Sequence, residues 1–141
     1  MKAIHVPKAM KEAYHYETNP ASFSRGIELD ILPRTKMVFV SGTASVDASG
    51  KSCHTNNFKN QARLAFSNVT KVLNKAGLTW KDVVKTTIYL KNIDTDYASF
   101  NCLRKDFYDS MGLNPYPAST CVGANLCREE LLVEIEAIAI Q

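Results

Sequence analysis

Near the C-terminus, the residues from Leu132 to Ile140 alternate with period two: Val133, Ile135 and Ala137 fall on one side, Glu134 and Glu136 on the other. Successive side chains of a strand point to opposite faces, so this stretch reads as a strand with one apolar face and two carboxylates together on its other face. Such a strand needs a sheet whose two faces are used differently. Just upstream, Ala118 to Val122 reads as a shorter strand of small residues, separated from the first by a polar link. A solvated sheet face accounts for the paired acids without any function.

The rest of the chain supplies the sheet's other members and its cover. Lys2 to Val6 is a β-prone run ended by Pro7, and Glu12 to Gly26 is polar, aromatic and turn-rich, which predicts a loop. Ile27 to Leu32 and Met37 to Ser41 are β-type runs joined by Pro33 to Lys36, a natural hairpin link, with Gly42 expected to break the second. Asp47 to Gly50 has the side chains and the glycine of a turn. From Phe58 to Ala76 the apolar residues follow helical spacing, and Gly77 is placed to end that helix in a left-handed cap. Thr79 to Asp82 resembles a capping box with Asp in place of Glu, and Val83 to Leu90 alternates as a strand. A second helix is expected from Asp94 or Thr95 to Met111, packing through Phe100, Leu103, Phe107 and Met111. Asn101, Arg104 and Tyr108 fall together on a neighbouring face, where a solvated surface suffices to explain them.

Two helices and about six strands in this order predict an α+β domain, with both helices on one face of a mixed six-stranded sheet. No third helix remains for the other face. Packing against copies of the same chain would cover it, so a homo-oligomer is expected. The length of 141 residues suits a single domain spanning 1–141, large enough to bury one core without a disulfide or metal.

Several function classes are excluded by what the chain lacks. Its longest apolar runs are strand-sized, and Met1 to Met10 mixes Lys and His among apolar residues, so neither a membrane span nor a secretion signal is expected and the protein reads as cytoplasmic. The net charge of +3 is spread along the chain, without the clustering or interleaved aromatics of an RNA-stacking surface, so nucleic acid is not the expected partner. Cys53, Cys102, Cys121 and Cys127 form no CxxC pair, and His5, His15 and His54 have no ligand spacing, which predicts free thiols and no metal.

The order of elements, together with several local strings, resembles the YjgF/RidA family, also called the translation-inhibitor or L-PSP endoribonuclease family. The strings are FVSGT after the second long β run, NQARLAFSNVTKVLNKAGL on the first helix, DVVKTTIYLKNI on the next strand, YASFN opening the second helix, and PAST followed by VEIEAIAI. The resemblance covers nearly the whole chain. It implies a chorismate-mutase-like domain, a homotrimer with a barrel-like centre, and three small-metabolite clefts between subunits. It also implies hydrolysis of reactive enamine or imine acids to 2-keto acids and ammonia, with no cofactor. The alternatives are a related hydrolase of altered specificity, a non-catalytic metabolite-binding trimer, or the endoribonuclease of the older name.

By the same resemblance, Glu134 is assigned to water orientation or proton transfer. The Cys121 N–H, Asn101, Ser41 and Gly42 keep the types that line the family's cleft. Two positions depart. Deaminase members read PARS where this chain reads Pro117-Ala118-Ser119-Thr120, so Ser119 stands where their arginine holds the substrate carboxylate; Phe23 stands where they have a tyrosine. Arg25 and Arg104 are the two cations in position to compensate, though a solvated surface suffices to explain each, and Ser119 with Thr120 could instead shape a pocket for a neutral ligand.

Overall fold

The computed structural model describes residues 2–4, 22–24, 26–28 and 32–141. In chain order these form β1 (Lys2–Ile4), β2 (Gly26–Glu28), β3 (Met37–Ala44), α1 (Phe58–Lys75), a 3-10 turn (Trp80–Asp82), β4 (Val83–Leu90), α2 (Ile93–Ser110), β5 (Ala118–Gly123) and β6 (Val133–Ile140). The expected order of strands and helices is the observed one. Among the described residues no helix is long and apolar enough to cross a membrane.

Among the described residues the strands do not form one six-stranded sheet. Four of them make a mixed sheet in the order β3-β6-β4-β5, and β1 pairs only with β2 in a separate antiparallel ladder. Among the described residues no ladder joins β2 to β3, and residues 29–31, on which the expected hairpin between them depends, lie outside those residues. A turn does form at Pro33 to Lys36, with Thr35 N donating to Leu32 O at 3.1 Å, but β3 takes β6 as its antiparallel neighbour. Beside β6, Val40 reaches the core under α1.

Gly42 does not end β3 either. The strand runs on to Ala44, and the register slips between Val40 and Thr43, so Ser41 and Gly42 occupy a bulge. A Cβ on Gly42 would lie 1.8 Å from Glu134 Oε1. The absent side chain is what lets that carboxylate lie against the β3 backbone.

α1 packs Ala62, Ala65, Phe66, Val69 and Leu73 onto the sheet, where Val133, Ile135, Ala137 and Ala139 of β6 are likewise buried. Phe66 stacks on Phe107 with centroids 4.4 Å apart and meets Trp80 edge-on at 5.7 Å, which ties α1, α2 and the 3-10 turn together. Gly77 follows α1 with φ +75°, and the Thr79–Asp82 capping box closes as expected. α2 begins two or three residues earlier than expected: Asn92 is the cap, without a side-chain bond, and Asp94 falls in the first turn, where the helix dipole favours a carboxylate. α2 is the crossover between the parallel strands β4 and β5.

The opposite sheet face is open in the single chain. Phe39 is 68% exposed there, beside the half-buried Ile138 that it pairs with, and Val122 is 37% exposed on β5. Glu134 and Glu136 share this face, as the period-two reading requires.

Candidate functional site

α2 was expected to pack through Phe100, Leu103, Phe107 and Met111 and to leave its polar residues in water. The helix is rotated from that position. Phe100 is buried and Leu103 and Phe107 are half-buried, but Met111 is exposed, while Asn101, Arg104 and Tyr108 turn inward. Arg104 is only 1% exposed and Asn101 5%, so neither is the solvated surface residue that spacing alone allowed. The rotation follows from the crossover: α1 already takes the apolar flank of α2, and the polar stripe is left facing β4 and β5.

Arg104 is held by neutral groups. Its Nη1 donates to Ser119 Oγ at 2.9 Å and its Nη2 to Asn101 Oδ1 at 2.6 Å. The guanidinium lies 5.4 Å from the Phe100 ring centroid and 5.9 Å from that of Phe23. Its Nε is buried without a partner, and among the described residues no carboxylate pairs with it. A buried cation without a counter-ion is costly, and it presents an unmatched positive charge to whatever enters beside it.

Ser119 shows how the strand contributes. β5 runs in register with β4, so Ser119 lies beside Thr86 on the helix-facing side, and Thr86 Oγ1 donates to Ser119 Oγ at 3.0 Å. With Thr86 and Arg104 both donating to its oxygen, the serine's own hydroxyl proton is left for the cleft. β5 is an edge strand. Ala124 N bonds inward to Leu90 O, whereas Pro117 O accepts outward from Ser24 N at 3.2 Å. Alternation then puts the N–H of Cys121 on the outer edge with that of Ser119. The Cys121 thiol is half-buried, and burial pushes its pKa up, with Arg104 partly opposing. Ser24 also donates its hydroxyl to Tyr116 O, and this docking brings the neighbouring Phe23 over the guanidinium.

These groups border a cleft of about 440 Å³, lined by Phe23, Ile93, Asp94, Tyr97, Arg104, Ser119 and Cys121. Its size suits a small metabolite. Thr86, Tyr97 and Asp94 were not singled out from the sequence. The signal was present in α2, where Asp94, Tyr97, Asn101, Arg104 and Tyr108 recur at the three- and four-residue spacing of one helix face.

The other expected residues lie elsewhere. Glu134 faces the open side of the sheet beside Gly42, bordering a second concavity of about 700 Å³ that also includes Asn68, Lys71 and Arg128. Ser41 is exposed in the same bulge. Thr120 turns to the open face and accepts from Lys85 Nζ, so it does not line the cleft with Ser119. Tyr89 Oη donates to Glu136 Oε2 at 3.0 Å, which raises the tyrosine's pKa and fixes that acid in place. Arg25 lies outside the described residues.

Glu134 pairs across the sheet with Tyr89, and Tyr89 with Val122, three residues along β5 from Ser119. Two strand spacings of ~4.8 Å and three residues of ~3.3 Å put the two backbone positions roughly 14 Å apart, with side chains on opposite faces. Within one chain the acid and the guanidinium do not meet.

The family model described as Endoribonuclease L-PSP matches residues 14–141. A RutC family protein of Haemophilus influenzae is 32% identical over 132 residues, covering 94% of this chain and 98% of that one. A 2-iminobutanoate/2-iminopropanoate deaminase of Salmonella typhimurium is 30% identical over 135 residues, covering 94% and 99%. Among solved structures, Escherichia coli TdcF with bound serine superposes with a TM-score of 0.68 at 30% identity, over 94% of this chain and 99% of that one. A Yersinia pestis protein of the conserved Rid family superposes with a TM-score of 0.76 at 26% identity, over 94% and 96%.

Proposed function

The chain belongs to the endoribonuclease L-PSP family, the YjgF/RidA proteins, and from that membership we propose that it hydrolyses reactive 2-imino and enamine acids to 2-keto acids and ammonia. The observation that carries this reading is Arg104: a buried guanidinium, without a carboxylate partner, bonded to the serine that occupies the family's arginine position. The cation missing from the strand is supplied by the helix.

In this reading the substrate carboxylate enters the cleft and takes the free N–H groups of Arg104, a charge-assisted contact, together with the Ser119 hydroxyl. The Cys121 N–H on the strand edge receives a second polar atom of the substrate. Water adds to the imine carbon, forming the C–O bond while the nitrogen takes up a proton. The C–N bond then breaks, ammonia leaves with the bonding pair, and the carbonyl forms. Glu134 orients that water and carries its proton. Because Glu134 and Arg104 belong to opposite sheet faces, the acid must come from an adjacent copy. A homotrimer with clefts between subunits meets that need, and it covers the open face carrying Phe39.

The test is release of ammonia and keto acid from imines generated in situ by an amino-acid oxidase. Wild-type protein should accelerate it, and Glu134→Ala and Arg104→Met should each abolish most of the acceleration. Equal rates with and without wild-type protein across short aliphatic imines would overturn the proposal. Full activity in a demonstrated monomer would overturn the shared cleft.

A further inference from the structure

The cleft is electrically lopsided. Among the described residues that line it, two carry charge: Arg104, buried at its floor, and Asp94, exposed at its rim. Between them the wall of α2 offers Tyr97, and Phe23 faces it. Among the described residues no cation pairs with Asp94. A small ligand spanning the cleft thus meets a cation at one end and a carboxylate at the other.

The spacing can be read from the helix. Asp94 and Arg104 lie on the same α2 face and are ten residues apart, about 15 Å along the axis. The arginine leans one turn back toward the helix start, as its bond to Asn101 records, which removes about 5 Å. The shorter Asp94 side chain leans the same way by about 2 Å, so on the order of 12 Å separates guanidinium from carboxylate. With a contact of about 3 Å at each end, a ligand measuring about 6 Å from charge to charge bridges them. That is the length of an amino-acid-derived chain with three or so carbons beyond the carboxyl-bearing carbon.

We infer that this cleft selects 2-imino acids whose side chain ends in a positive charge, the products of oxidising basic amino acids, with Asp94 as the residue that sets the preference. The inference rests on the hydrolase reading for its reaction, but the charge preference itself is a property of binding. Neutral side chains of the same length fill the cleft without the rim contact. Anionic side chains meet repulsion from Asp94.

The experiment uses 2-keto acids, the stable products, as probes of the full-length protein: 2-oxohexanoate (neutral), 2-oxo-5-guanidinopentanoate (cationic) and 2-oxoglutarate (anionic), each titrated calorimetrically at low salt. The cationic acid should bind about fivefold tighter than the neutral one, and the anionic acid weaker than both. Asp94→Asn should collapse the cationic-to-neutral ratio to about one, and Asp94→Lys should invert the order. A purely structural role for Asp94 in the first turn of α2 would move the melting temperature and leave these ratios alone. Equal affinities, no binding of any of the three, or a cationic preference that survives Asp94→Asn would each overturn the inference. Imine turnover on the same samples separates the two claims. Preference without turnover keeps this inference and removes the hydrolase reading, and turnover without preference does the reverse.

Discussion

Arg104 and Ser119 are bonded across the cleft, Nη1 to Oγ at 2.9 Å, so a serine of β5 serves as a ligand for an arginine from α2. The two positions act as a unit. In the proposed function the helix supplies the cation that the resemblance expects on the strand, and the serine's small side chain leaves the space in which the guanidinium lies.

Replacing Arg104 by Met should separate function from stability. Loss of a charge-assisted carboxylate contact lowers kcat/KM by about 100-fold, on the order of 2 to 4 kcal/mol. Removing a buried charge that has no counter-ion among the described residues offsets much of the lost packing, so the melting temperature should change by only a few degrees. Imine turnover and thermal denaturation on the same variant check both parts, and a well-folded variant with unchanged kcat/KM would remove Arg104 from substrate binding.

Restoring the family's arginine should not restore the family's site. Ser119→Arg places a second guanidinium against Arg104 in a buried space, so lower stability and no gain in activity are expected. The paired exchange, Arg104→Ser with Ser119→Arg, moves the cation back to the strand and should recover turnover that neither single variant shows. Non-additivity in this double-mutant cycle is the measurement.

Gly42→Ala tests the close approach of β3 to the proposed catalytic acid. The new methyl would fall 1.8 Å from Glu134 Oε1, so the carboxylate must rotate away. Because the clash is with the far end of a flexible side chain, stability should change little. A fall in kcat of about tenfold with KM nearly constant is expected, since water orientation is lost while carboxylate binding is kept.

Alkaline stability should depend on Tyr116. Burial and a hydrogen bond from its hydroxyl to Asp109 push its pKa up to about 12, above the ordinary 10.0. Folding favours the neutral phenol, so its contribution is complete below pH ~10 and is lost as the pH rises toward ~12. The urea stability difference between wild type and Tyr116→Phe should therefore shrink across that window. A difference that stays constant with pH would contradict the assignment.

The sequence by itself determined the local elements and the family. Period two in Leu132 to Ile140, the helical spacing of Phe58 to Ala76 and the glycine after it are properties of short segments, where backbone geometry alone dictates the pattern. The strings around Ser41, Asn101, Pro117 and Glu134 likewise placed the chain in its family without coordinates. Only the tertiary structure decided which strands pair, because the pairing of β3 with β6 depends on burial gained far away in sequence. It alone decided the fate of Arg104 as well. Helical spacing puts Asn101, Arg104 and Tyr108 on one face, but whether that face meets water or strand depends on how α2 rolls between α1 and β5. The opposed faces of Glu134 and Ser119 follow from the same cause, since strand order and register are set by long-range packing that no local pattern encodes.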